Sequence, residues 1–161
     1  GQLGFHTQAA VGERGFKLLV GHLVEMLAVL NRRAGIPLSG QETYLATVGG
    51  IRLSEPAADL AIAVAVASAR HDIAIPTDVV AFGEVGLAGD VRPVSGLERR
   101  VAEAARLGAR LVLVPAAAGL DQPEPDTGPL VWPVHDVAQA LTMLGIPARP
   151  SRPPAGPSHV W

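Results

Sequence analysis

At 161 residues, 48% of them hydrophobic, the chain carries enough apolar material for one domain with a real core. The absence of cysteine excludes disulfides and thiolate metal sites, and a formal net charge of −2 excludes a polycation that holds nucleic acid by bulk charge. Any such contact needs a local patch of arginine, because Lys17 is the sole lysine.

The longest hydrophobic run, Ala57 to Ala69, is broken by Asp59 and is too short to span a bilayer. No membrane partner is therefore expected, and the expected setting is cytoplasmic. The chain opens without Met in a Gly-rich stretch, so it is expected to be a piece of a longer protein.

Residues 1–15 carry little pattern and are expected to form an arm or a short strand. From Phe16 to Ala34 the period becomes helical, with Phe16, Leu19, Leu23, Leu27, Leu30 and Ala34 on one face. Gly35 suits the position after the helix and Pro37 prevents continuation. Glu25, Asn31, Arg32 and Arg33 fall on the wet side, and the arginine pair is read as a helix-end charge effect.

Thr43 to Val48 reads as a strand, and Gly49-Gly50 as a bend or bulge. Ser54 is the expected N-cap of a helix from Ala57 to about Arg70, with Pro56 in its first turn. That helix is apolar nearly all round and should be buried. Asp59, in its first turn, is read as favouring the helix dipole.

Val79 to Phe82 is a short apolar strand, expected to be covered on both faces. Gly83, Gly86 and Gly89 punctuate a hairpin that returns through Val91 and Val94 and is ended by Pro93. Ser95-Gly96 leads into a helix with Leu97, Val101, Ala104 and Ala105 inward. Leu111 to Val114 is a buried strand stopped by Pro115, and Ala116 to Pro129 is a loop. Leu130 to Val134 is an edge strand because Pro133 lies within it. Asp136 caps a last helix, Val137 to Leu144, closed by Gly145 and Pro147. Residues 148–161 are Pro-rich and read as a disordered tail. The pattern is an α/β (α+β) fold, a mixed sheet with packed helices.

Several chemistries are excluded. The glycines at 83, 86 and 89 lie between two strands and do not match a dinucleotide fingerprint, and Lys17 is followed by leucine, so it makes no P-loop. His6, His22, His71, His135 and His159 are scattered without metal-ligand spacing.

The segments GGIRLSEPAADLAIAVAVASA and FGEVGLAGDVRPVSGLERRVAEAARLGARLVLVP closely resemble the C-terminal, Lon-protease-like domain of the bacterial RadA (Sms) repair family. The resemblance runs from about Val29 to Leu144 and implies a Lon-protease-like domain over residues 16–147. The Lon proteases proper use a serine nucleophile and a neutral lysine base. Their serine motif matches Glu55-Pro56-Ala57-Ala58-Asp59, which places Ala57 at the nucleophile position. Their lysine motif matches Ser95-Gly96-Leu97, which places Glu98 at the lysine position. Both catalytic groups are missing, and Ser54 and Ser95 do not replace them, because the only amine side chain is Lys17. No peptidase activity is expected.

The resemblance further implies a ring scaffold, a homohexamer, within an ATP-driven protein of recombinational repair that processes duplex or branched DNA. ATP, Mg and Zn would belong to other domains of the parent, leaving this domain without a cofactor. Arg52, Arg92, Arg99, Arg100 and Arg106 are the candidate DNA contacts, sequence-independent and salt-sensitive. Ion pairing with Glu103 along a solvated helix face explains the helical arginines equally well.

Overall fold

A computed structural model describes residues 3–4, 25–38, 43–44, 55–122 and 126–149. The elements run β1 (Leu3–Gly4), α1 (helical at 25–33), β2 (Thr43–Tyr44), a 3-10 turn (Pro56–Ala58) and α2 (Asp59–His71). There follow β3 (Val79–Ala81), β4 (Glu84–Val85), β5 (Val91–Arg92), α3 (Leu97–Arg106) and β6 (Leu111–Pro115). A second 3-10 turn (Ala116–Ala118), β7 (Leu130–Val134) and α4 (Val137–Met143) complete the described chain. Parallel and antiparallel strands with packed helices make this the α/β fold that the sequence pattern implies.

β6 is the middle of a parallel sheet ordered β3-β6-β7, with Val80 opposite Val112 and Val112 opposite Val131. Successive side chains of a strand point to opposite faces, and β6 uses this to serve two cores. Val112 and Val114 join Leu97, Ala104 and Val131 on the α3 side. Leu113 joins residues of α1, α2, α4 and the hairpin on the other side. The apolar β6 is thus enclosed between two helical layers, as a buried parallel strand requires.

β3 meets that description only in part. Among the described residues it pairs on one side alone, with β6, and Val79 and Val80 are half-buried while Ala81 is buried. β7 lies at the other edge, where the missing N–H of Pro133 breaks no ladder. Pro115 does not stop β6 but is its last residue, opposite Val134.

α2 buries Leu60, Ile62, Ala63, Val64, Val66 and Ala67, each leucine or isoleucine contributing roughly 1.5–3 kcal/mol. Its entry is a 3-10 turn with Pro56 at the start, and the residue before that turn is Glu55; Ser54 lies outside the described residues. The buried stripe of α1 is Met26, Val29, Leu30 and Ala34, with Leu27 at its margin. Met26 and Val29 were not on the expected face. Its wet residues Glu25, Asn31, Arg32 and Arg33 are all exposed. Gly35 ends the helix at φ +65, and the Ile36 N–H returns to Leu30 O at 3.0 Å.

At α4, Asp136 Oδ1 accepts the Gln139 N–H at 2.7 Å, while Gln139 Oε1 accepts the His135 N–H at 2.7 Å. Asp136 is thus a side-chain N-cap, and Gln139 reaches back one residue further than in a capping box, to the residue before the cap. Beyond α4, Ala148 packs on the core and the Arg149 N–H donates to Ala34 O at 2.9 Å, so the first two residues of the expected tail belong to the fold. No helix among the described residues is long and apolar enough to cross a membrane.

Candidate nucleic-acid interface

The hairpin β4–β5 is fastened on both arms. The Val91 N–H donates to His135 O and the Val137 N–H donates to Gly89 O, both at 2.9 Å, which ties the β5 side to the end of β7. On the other arm, the Val85 N–H donates at 3.0 Å to Oδ2 of Asp59, itself only 2% exposed. The Gly83 N–H donates to Ala57 O at 3.1 Å and the Leu60 N–H to Gly83 O at 3.0 Å. The 3-10 turn, the start of α2 and the hairpin are thus joined by hydrogen bonds into one unit.

Ala57 sits inside that unit at 4% exposure, presenting a methyl group. Glu98 lies in the first turn of α3 and is exposed. Their two elements are joined by an ion pair from Arg100 Nη2 to Glu55 Oε1, and Arg100 Nε also donates to Ser95 O at 3.0 Å. Lys17 lies outside the described residues, which therefore hold no lysine. A serine–lysine dyad is absent among them.

The candidate arginines fall into different settings. Arg92 Nε donates to Asp90 Oδ2 at 2.8 Å, and that hydrogen bond, with the Asp90 charge, raises the guanidinium above its ordinary pKa. Arg106 makes two bonds to Glu103, with Nε to Oε2 at 2.9 Å; these raise the pKa of Arg106 and lower that of Glu103. Glu103 thus pairs with Arg106 and not with Arg99. Arg99 is exposed and makes no ion pair among the described residues. Arg52 lies outside them.

Between β3 and α3 opens a cleft of about 1310 Å³. Its apolar part includes Val80, Phe82 and Leu107, the last 71% exposed. Arg99 and Arg100 line it, but so do Glu55, Asp78, Glu98 and Glu103. Glu55 pairs with Arg100, Glu103 with Arg106 and Asp78 with Arg110, which leaves Glu98 and Arg99 as the lining charges without an ion pair among the described residues. Among the described residues no cluster of histidine and carboxylate side chains is suited to a metal ion.

Sequence reasoning read Asp59 as a helix-end charge and missed both its Val85 bond and the Glu55–Arg100 link. An acid in a first helical turn gives the dipole signal whether or not it also holds a distant strand. The hairpin glycines are better explained. A Cβ on Gly83 would stand 2.6 Å from Val91 Cγ1, and one on Gly86 would stand 2.3 Å from Asp90 Oδ1.

The family model described as "Subunit ChlI of Mg-chelatase" matches residues 46–118, a stretch without lysine and so without a P-loop. Curated relatives named DNA repair protein RadA are similar over more of the chain. The protein of Mycolicibacterium smegmatis is 54% identical over 98 residues, covering 58% of this chain and 21% of the relative. That of Salmonella typhimurium is 43% identical over 123 residues, 76% of this chain and 26% of the relative. That of Bacillus subtilis is 46% identical over 121 residues, with 74% and 26% covered. The chain spans about a fifth to a quarter of the length of these relatives.

Proposed function

Because the chain is a homologue of proteins named DNA repair protein RadA, we propose that it is the Lon-protease-like part of a DNA repair protein of that kind, acting without peptidase chemistry. On this reading it assembles as a homohexameric ring, scaffolds an ATP-driven parent that processes branched DNA, and touches duplex DNA. ATP, Mg and Zn serve other parts of that parent. The observation that carries the reading is the identity to RadA proteins, joined to a methyl group at Ala57 and a carboxylate at Glu98 in the two dyad positions. Neither group can attack a carbonyl with the help of a neutral amine.

DNA contact through the α3 region rests on Arg52, Arg92, Arg99, Arg100 and Arg106, of which Arg99 is the one described residue without a carboxylate partner. The test is salt-dependent binding of a labelled duplex by the 161-residue chain. Binding that weakens as salt rises, and weakens further on Arg99→Glu with Arg100→Glu, supports the reading. A well-formed hexamer that binds no duplex at low salt overturns the DNA contact.

A second reading, a pure oligomerisation scaffold, is favoured by the ion pairs at Arg92, Arg100 and Arg106. A residual peptidase is the third. Turnover of an unfolded protein that survives contaminant controls would support it.

A further inference from the structure

Four arginines from three parts of the chain meet at one corner of the fold. Arg32 and Arg33 occupy the last turn of α1. The segment after α4 returns to this helix end, where the Arg149 N–H donates to Ala34 O at 2.9 Å. The Arg149 stem lies over Gly35: a Cβ there would be 3.3 Å from Arg149 Cβ and 3.5 Å from its Cδ. Arg70, in the last turn of α2, donates from Nε to Pro37 O at 2.5 Å, two residues beyond Gly35. Arg33 in turn borders the hairpin, its Cβ 3.0 Å from where a Cβ of Gly89 would be.

No carboxylate among the described residues neutralises these charges. Arg32, Arg33 and Arg149 are exposed, and none of the four arginines makes an ion pair among the described residues. Around α3, by contrast, Arg92, Arg100, Arg106 and Arg110 each face a carboxylate, and Arg99 alone of the described arginines there does not. Asp72 is the carboxylate nearest to the corner arginines in sequence, and it pairs with none of them. The ends of α1 and α2 attract cations through their dipoles, which accounts for Arg32, Arg33 and Arg70. Arg149 belongs to neither helix, but its stem lies over the C-terminal end of α1, where the same dipole also favours its charge. Four like charges carried by neighbouring segments repel one another, and an external anion would relieve that repulsion.

We infer that this corner is a phosphate-backbone contact for duplex DNA, separate from the α3 arginines. The inference rests on the reading of the chain as a DNA-contacting part. A membrane surface fits less well, because the exposed large apolar residues among those described are Leu87, Leu107 and Leu130, none of them in the corner. Arginine suits the role, since its planar fork matches phosphate oxygens.

The test is fluorescence anisotropy of a labelled duplex across a salt series, comparing the chain with Arg32→Gln/Arg33→Gln/Arg149→Gln and with the corresponding triple lysine variant. Far-UV circular dichroism and a melting curve report folding. Losing three phosphate contacts lowers affinity on the order of tenfold or more at moderate salt and flattens the slope of log K against log salt by about 2.7. The lysine triple keeps most of that slope. If the glutamine triple melts, Arg149→Gln alone is read, with a slope change of about 0.9. Affinity within about twofold and an unchanged slope would overturn the corner while leaving the DNA reading in place. No duplex binding by the unaltered chain overturns both. Loss of binding to phosphatidylserine vesicles, with duplex binding intact, would assign the corner to a membrane and overturn the inference.

Discussion

Asp59 Oδ2 holds the Val85 N–H at 3.0 Å, a buried bond across 26 residues that fixes the hairpin to the first turn of α2. Asp59→Ala leaves a buried N–H without this acceptor. An unpaired buried donor costs about 1–3 kcal/mol. Urea unfolding should show a midpoint lowered by a corresponding amount. Retained stability would show that water or another group satisfies Val85.

The same junction is packed without slack at Gly83. Gly83→Ala puts a methyl 2.6 Å from Val91 Cγ1, a distance that real side chains do not tolerate. Overpacking of this kind costs about 1–3 kcal/mol. Val91→Ala removes the colliding methyl group, so the double variant should be less destabilised than the sum of the two single ones, by about 1 kcal/mol. Strict additivity in a denaturation cycle would contradict the contact.

The Asp136 cap of α4 offers a third check. Asp136→Ala removes the acceptor of the Gln139 N–H and should cost about 1 kcal/mol, read by thermal melting. Asp136→Ser should restore much of it.

The Glu103–Arg106 pair has a defined pH signature. Arg106 holds the Glu103 carboxyl below its ordinary range, so the unfolded chain takes up a proton before the folded one does. The stabilisation is therefore present above the ordinary glutamate pKa and is lost as pH falls through the lower folded value. Both side chains are more than half exposed, so the effect is small and screened by salt. Glu103→Gln should be slightly less stable than the unaltered chain near neutral pH and low salt. The two should converge on acidification and in high salt, and a difference that persists at low pH would contradict the pairing.

Much of the fold was legible because the signals were local. The continuous apolar run of Leu111 to Val114 marked the central strand, Asp136 marked the start of α4, and Pro133 marked an edge. What escaped was the set of contacts made between distant segments. Nothing near Asp59 in the chain announces Val85, and nothing near Arg100 announces Glu55. Met26 and Val29 were missed because the expected face of α1 was a narrow stripe, whereas α1 buries a broader one in the same core cluster as residues of α2 and α4. At the candidate site, pairing of α3 arginines with Glu103 was visible from spacing, but spacing alone allowed either Arg99 or Arg106 as the partner. Arg149 joined the α1 corner only through the return of the chain after α4, which no periodicity encodes.

Size-exclusion chromatography coupled to light scattering tests the central claim most directly, because a ring part must assemble. At micromolar concentration the account expects a mass six times that of the 16.6 kDa chain. A single species at the mass of one chain would contradict it.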